Sequence, residues 1–395
     1  MTGTAILPGS VLGPEIAIVA DDDPFRREFR PWLAEHVPGP EPLDQDAKVA
    51  LRRAWQRTLS AGGWAGPAWP AEYGGRGAGP LQQFMYYEEL ALARAPWAAN
   101  APGTILLGPT LMVHGTEELR TRFLPAILSG DELFSQGFSE PEAGSDLASL
   151  RTRAHRDGDD WVITGQKIWT TWAQYSDWCF VVCRTDPESK RHRGLSMIIC
   201  PMDQLGVTVR PIEQISGDPE FAEVFFDGAR APAGHVVGEV GQGWAVAMTM
   251  LGFERADQGF SDHALLLVHL HDLAAELRAA QRDGRLGAAE AAEARARHAD
   301  LWIRCQQLRR FNLSIAVRGE AGETPGDFGS VVNLFWADLE QGIAELGVAV
   351  AGARGLALGD HPAHFLMSSR SATIDSGSSE IQRNIIAERT LGLPR

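Results

Sequence analysis

Apolar residues recur with helical spacing through the first third of the chain. Asp23-Pro24 reads as an N-cap and first helical residue, with Phe25, Phe29 and Leu33 on one face and Pro31 interrupting the run. Leu51, Trp55 and Leu59 continue the spacing in a second segment. Residues 81–94 form a third, with Phe84, Tyr87 and Leu90 or Ala91 in phase. Between them the stretch from Pro67 to Gly77 is dense in turn residues. The pattern changes near Leu133. From there to about Val240 come short β-branched and aromatic runs separated by Gly, Asp and Pro. Residues 161–163, 178–183, 195–200, 207–209 and 224–226 are the clearest, and they predict an all-β domain. After Gly241-Gln242-Gly243 the helical period returns and holds to the C-terminus. Residues 278–299, rich in Ala, Glu and Arg, predict an exposed helical hairpin. Leu334, Leu339, Ile343, Leu346 and Val350 predict a strongly apolar helical stripe that packs on other helices or another subunit. The order is α, then β, then α: a helical N-terminal domain over 1–132, a β domain over 133–240 and a helical domain over 241–395.

Composition narrows the function classes. The 395 residues suffice for two or three domains with a sizeable core. A formal net charge of −15 disfavours nucleic acid and anionic membrane surfaces, and an anionic ligand would need a local basic site. The four cysteines form no CxxC pair, which predicts buried reduced thiols in a cytoplasmic protein. The N-terminus lacks the basic start of a signal peptide, and no apolar run approaches the ~20 residues of a membrane span. His269-x-His271-Asp272 has metal-type residues, but positions two apart on a helix face different ways. A solvated surface is the better reading, and no metal is expected.

Three segments carry candidate chemistry. Residues 136–146 (QGFSEPEAGSD) combine glycines and small hydroxyls, which lets backbone N–H groups approach a flat polar ligand or a phosphate. A turn joining two domains explains them equally well. In Gly165-Gln166-Lys167-Ile168-Trp169-Thr170-Thr171-Trp172 an aromatic beside two threonines suits a ring system, and a core tryptophan is the plainer alternative. Finally, Ala247, Met250, Leu251 and Glu254 follow i, i+3, i+4, i+7, so the carboxylate falls on an apolar stripe. Burying an unpaired carboxylate raises its pKa or costs several kcal/mol, which marks a functional candidate. An ion pair with an arginine such as Arg255 is the alternative.

Five stretches, taken in order, resemble a known family: Trp64-x-x-Pro67-x-Trp69-Pro70-x-x-Tyr73-Gly74-Gly75, Ser139-Glu140-Pro141-x-x-Gly144-Ser145-Asp146, Gly165-Gln166-Lys167-x-Trp169-x-Thr171, Gly243-Trp244, and Glu380-Ile381-Gln382-Arg383-x-Ile385-Ile386-Ala387. They look like the landmarks of flavin-dependent acyl-CoA dehydrogenases, over nearly the whole chain. The resemblance implies an α+β multidomain fold: a helical N-terminal domain, a β-barrel-like middle domain and a C-terminal helical bundle. It also implies FAD between the last two. By similarity Gln136, Phe138, Ser139, Gly144 and Ser145 would line the flavin, with Ser145 also touching the CoA chain. Trp169 and Thr171 would pack on the isoalloxazine and hydrogen-bond it. Ser378 and Glu380 would face the ribose and pyrophosphate region, where a helix N-terminus suits phosphate. Ser379-x-x-Gln382 also reads as a capping box.

The chemistry the resemblance implies is oxidation of a saturated acyl-CoA to the trans-2-enoyl-CoA, with electrons leaving to an electron-transfer flavoprotein. It needs a carboxylate whose pKa rises toward the operating pH. The commonest family pattern places that base at the position of Ser376, where a serine hydroxyl cannot replace it. The Ser376 N–H can still donate to the thioester carbonyl, a bond that strengthens as charge develops there. A branch of the family draws its base from the helix position of Glu254, so Glu254 is the expected catalytic residue. Arg255 would then lie near the pantetheine or the carbonyl. Asp375, one residue before the usual site, ranks below it. The shifted base suggests a branched or bulky acyl group. Residues 278–312 lack the family's cross-subunit arginine motif, and Gly342 to Gly355 departs from its Gly-Gly motif. An oligomer, a dimer of dimers, is expected, either homomeric or a mixed tetramer with a paralogue. A flavin monooxygenase or oxidase on the same fold, or a partner subunit of a mixed tetramer, are the alternatives.

Overall fold

The computed structural model describes residues 19–323, 328–357 and 361–394. Its helices are α1 (Pro24–His36), α2 (Gln45–Ala61), α3 (Pro80–Leu92), α4 (Gly108–His114) and α5 (Glu117–Ser129) before the strands. After them come α6 (Gly243–Arg282), α7 (Ala288–Glu320), α8 (Phe328–Ala351), α9 (His361–Ser368) and α10 (Ser379–Ile385). α1 begins as expected: the Asp23 side chain accepts from the Phe25 N–H, and Pro24 occupies the first turn. Pro31, however, does not interrupt it. The helix runs through the proline, with Phe25, Phe29 and Leu33 buried on one face. Packing of that face on both sides of Pro31 outweighs the one missing backbone bond.

The middle of the chain forms β1 (Phe134–Gly137), β2 (Arg153–Asp157), β3 (Asp160–Thr171), β4 (Trp178–Arg184), β5 (Leu195–Pro201), β6 (Val207–Ile212), β7 (Phe221–Pro232) and β8 (Val236–Val237). All five expected runs lie in strands; β1, β2 and β8 carried no comparable signal. The hydrogen-bonded order is β6-β7-β3-β2-β4-β5-β8, with β1 paired to β4. The described pairings leave β6 and β8 at opposite ends, so the sheet is not closed into a barrel. Cys179, Cys183 and Cys200 are buried in it among Ile163, Val181 and Ile198.

α6 and α7 make the expected hairpin, turning between Arg282 and Ala288. On α8, Leu339, Ile343, Leu346 and Val350 are buried against α6 and α7 residues such as Leu270 and Leu308, so the stripe packs within the chain. The N- and C-terminal helices are also joined by a buried polar network that periodicity could not reveal. Glu88 on α3 accepts from Arg26 on α1, from Arg309 Nε on α7 at 2.7 Å, and contacts His263 Nε2 on α6 at 3.2 Å. All four side chains are almost wholly excluded from solvent.

Candidate active site

α6 starts where it does because Gly243 lets the helix close on β5: a Cβ there would stand 2.5 Å from the Ser196 backbone. Val246, Ala247 and Met250 are then buried, and Glu254 follows along the same stripe. Its Oε1 accepts a hydrogen bond from Ser376 Oγ at 3.0 Å. Ser376 holds a left-handed backbone, φ 48°, and Gly377 follows at φ 99°. Gln382 Nε2 steadies this turn, donating to the carbonyls of Ser376 at 3.0 Å and Gly377 at 3.2 Å. That corrects the capping box: the cap of α10 is Ser378, whose side chain accepts from the Ile381 N–H, and Gln382 is engaged elsewhere.

Burial raises the pKa of Glu254, while the Ser376 hydroxyl and the Arg255 charge pull it back. The balance leaves a carboxylate more basic than a solvated glutamate. Asp375 is close enough to respond to it. Burial raises Asp375 to about 6, opposed by Ser371 and reinforced by the charges of Glu254 and Glu220. The 373–378 turn therefore reaches from α6 toward the segment entering β7. There Phe221 meets Trp169 edge-on, with centroids 6.1 Å apart.

Trp169 is 56% exposed and holds φ 59°. It lies in a register shift of the β3–β7 pairing between Lys167 and Thr170, a bulge of the kind that re-aims a side chain. Thr171 returns to register opposite Phe221. A large aromatic held outward on strained backbone needs a functional reason. The plainer reading of Trp169 as a core residue is thus excluded.

The 139–146 loop is anchored by a buried pair that the sequence reading passed over, although both residues stand inside its motifs. Lys167 Nζ donates to Glu140 Oε1 at 2.9 Å and to the Phe138 carbonyl at 2.8 Å. Glu140 also accepts from the N–H groups of Arg151 and Thr152 at 2.6 and 2.9 Å. Burial lowers the Lys167 pKa despite this partner. The Ser139 carbonyl accepts from the Ile168 N–H at 3.0 Å, fastening the loop beside Trp169. Phe138 turns its ring into the core, edge-on to Phe180 at 6.2 Å, so only its backbone is available here. Gln136 is partly buried on β1, in register with Phe180. The N–H groups of Ser139, Gly144 and Ser145 take part in none of the described hydrogen bonds. A Cβ on Gly144 would meet nothing within 4 Å. Exposed Trp169, open N–H groups and the buried, unpartnered Gln382 Oε1 fit a flat, polar, phosphate-bearing cofactor. Glu380 is exposed and pairs with Arg383 at 3.4 Å. No described contact joins Ser378 or Glu380 to the Trp169 cluster.

A cavity of about 620 Å³ lies against the neighbouring face of α6. Phe253, Asp257 and Phe260 line it from α6, Tyr87 and Leu90 from α3, and Trp69 from the turn-rich 67–77 loop. Among the described residues no group of His, Cys, Asp and Glu could hold a metal ion. His269 is not solvated as expected: it stacks on Phe365 with centroids 4.5 Å apart, and Asp272 pairs with Arg94. No described helix is long and apolar enough to cross a membrane.

Three family models match the chain in order: the acyl-CoA dehydrogenase N-terminal domain over residues 20–131, the middle domain over 135–229 and the C-terminal domain over 241–391. The acyl-CoA dehydrogenase IpdE1 of Mycobacterium tuberculosis is 43% identical over 387 residues, covering 95% of this chain and 98% of that protein. IpdE1 of Mycolicibacterium smegmatis is also 43% identical, over 393 residues, covering 94% and 97%. Among solved structures, the Tcur3481-Tcur3483 steroid ACAD matches with a TM-score of 0.82 and 30% identity, over 97% of this chain and 99% of that one. The ChsE4-ChsE5 complex from Mycobacterium tuberculosis gives 0.80 and 28%, over 97% and 100%. Fold and matches together define a flavin-dependent oxidoreductase. The chain belongs to the acyl-CoA dehydrogenase family.

Proposed function

We propose that the chain converts a saturated acyl-CoA to the trans-2-enoyl-CoA, with Glu254 as the base that removes the α-proton. The hydrogen bond between Glu254 and Ser376 carries this reading: it brings the residue at the usual base position onto the carboxylate that would replace it. Glu254 is basic enough to accept a proton because burial disfavours its charge. Ser376 orients it through the hydroxyl and, through its backbone N–H, donates to the thioester carbonyl as charge develops. Arg255, exposed beside the base, meets the carbonyl or the pantetheine. FAD, when bound, supplies the acceptor for the β-hydride. Trp169 and Thr171 would pack on its ring, the Gln136–Ser145 segment would line it, and Ser378 and Glu380 would face its ribose and pyrophosphate. Electrons leave to an electron-transfer flavoprotein in the cytoplasm.

The acyl group we assign is bulky. An apolar cavity of ~150 Å³ takes up one benzene, and the cavity lined by Phe253 and Asp257, which flank Glu254 on α6, is about 620 Å³, room for several fused or branched carbon units. The likeness to a structure described as a steroid ACAD supports the same choice. Anaerobic titration of the flavin-loaded protein with straight, branched and ring-bearing acyl-CoAs, followed by flavin bleaching, tests the proposal. Bleaching that survives unchanged in Glu254→Gln would remove Glu254 as the base.

A second reading makes the chain one half of a mixed tetramer. It is favoured by the paired names of the structural neighbours and by the missing arginine motif in residues 278–312. A purified homo-oligomer that binds FAD stoichiometrically and turns over acyl-CoA would exclude it.

A further inference from the structure

We infer that Tyr87 and Asp257 recognise a hydroxyl or keto oxygen on the distal part of the acyl group. The inference rests on the cavity being the acyl site of the reaction proposed above. The cavity is apolar over most of its wall, and its other hydroxyls are already committed to the protein. Tyr86 donates to the Trp64 carbonyl at 2.8 Å, Thr104 to the Asn100 carbonyl at 3.1 Å, and Ser261 to the Asp257 carbonyl at 3.4 Å. The amide of Gln83 donates to the Ala78 carbonyl at 3.0 Å. Glu323 pairs with Arg318 at 2.7 Å.

Asp257 differs. Tyr87 donates its hydroxyl to Asp257 Oδ1, and Asp257 enters none of the described ion pairs. A carboxyl group offers two oxygens with about four lone-pair positions, which accept from a hydroxyl, and in its protonated form one O–H, which donates to a keto oxygen, so most of its capacity is unspent. Asp257 lines the cavity, and no described hydrogen bond engages its second oxygen, which leaves that oxygen open to a ligand group.

The position selects which oxygen. Asp257 follows Glu254 by three residues, a rise of about 4.5 Å along one helix. An oxygen read by Asp257 therefore lies roughly one helical turn from the carbon that gives up its proton. Allowing for the reach of the two side chains, that places the oxygen beyond the β-carbon, on the substituent or ring it carries and on the side away from the thioester.

Three CoA thioesters test this on the flavin-loaded enzyme: cyclohexylpropanoyl-CoA and its para-hydroxy and para-keto ring analogues. Anaerobic bleaching gives an apparent Kd and a rate for each. One or both oxygenated analogues should bind at least about tenfold more tightly than the plain ring, with a smaller change in rate. Asp257→Leu should bring that ratio to within about twofold, Tyr87→Phe should reduce it, and Asp257→Asn, which keeps an acceptor, should retain most of it. The ratio is taken within each variant, so partial loss of folded protein does not alter it. Equal binding of all three by the wild type, or an undiminished ratio in both Asp257→Leu and Tyr87→Phe, overturns the inference. So does bleaching by straight-chain thioesters but by none of the three ring compounds, and that result leaves the proposed reaction standing. No bleaching by any thioester sinks the proposed reaction itself.

Discussion

Ser376 and Glu254, 122 positions apart in the chain, meet in a hydrogen bond of 3.0 Å. Under the proposed function the serine does not replace the base; it would hold a base that arrives from another helix. Replacing Glu254 by Gln should lower the rate of flavin reduction by about 10²–10⁴-fold. Ser376→Ala acts differently. The hydroxyl lowers the pKa of Glu254, so its loss raises that pKa further. The base works ionised, and rate is lost as pH falls through its pKa. The rising limb of the pH–rate profile should therefore move to higher pH in Ser376→Ala, with the plateau less affected. A profile that stays in place would separate Ser376 from the base.

Trp169→Ala should leave the fold intact and empty the flavin site. The ring is 56% exposed, and its described ring contact is edge-on with Phe221, so the stability change is expected to be small, about 0.5 kcal/mol. Flavin-to-protein absorbance ratio after gel filtration should fall, while the far-UV spectrum of the apoprotein stays unchanged.

Glu88→Gln should destabilise the protein by about 3–5 kcal/mol, because Arg26 and Arg309 are left buried with too little negative charge. The wild type carries a matching acid sensitivity. Burial alone would raise the Glu88 pKa, but His263, Arg309 and Arg26 together hold it at about 2 against an ordinary 4.5. Its contribution is present above 4.5 and lost as pH falls toward 2. His263 is kept neutral by burial, so the unfolded chain takes up its proton first, and stability begins to fall below pH 6.5. Urea midpoints measured from pH 4.5 down to about 2.5 should fall in the wild type and fall less steeply in Glu88→Gln.

Asp257→Asn should show the opposite pH sense. Burial raises Asp257 to about 7, with Tyr87 opposing and Glu254 reinforcing the shift. The folded state keeps a proton that the unfolded chain has lost, so this contribution is fully present below 3.8 and lost as pH rises through 7. Relative to wild type, the Asn variant should gain on the order of 1–3 kcal/mol at pH 8 over its value at pH 4. Paired urea melts at the two pH values measure the difference.

The α, β, α order was legible because each part keeps one period over many residues. The unusual setting of Glu254 was also legible, because a carboxylate on an apolar stripe stands out locally, and the structure gives it the raised pKa that burial implies. The open sheet was not, since closure depends on pairing between distant strands and no run encodes it. Pro31 misled because a local breaker signal weighs one backbone bond, while the buried face of α1 is held by residues on other elements. The Lys167–Glu140 and Tyr87–Asp257 contacts were hidden because each partner looks ordinary alone; Ser376 and Glu254 each stood out, but only the tertiary fold brings them together. Trp169 was ambiguous until the bulge in β3 showed which way it turns.

α6 is an unbroken helix of 40 residues, about 60 Å of rod. It seats on β5 at Gly243, carries Glu254, lines the cavity with Asp257 and enters the buried network through His263. Hinge motion between domains cannot change the spacing of these points, since all lie on one rigid body. The helix is a ruler with its marks cut at set intervals. Sliding one mark along the rod would require inserting residues that also rotate every later one off its face.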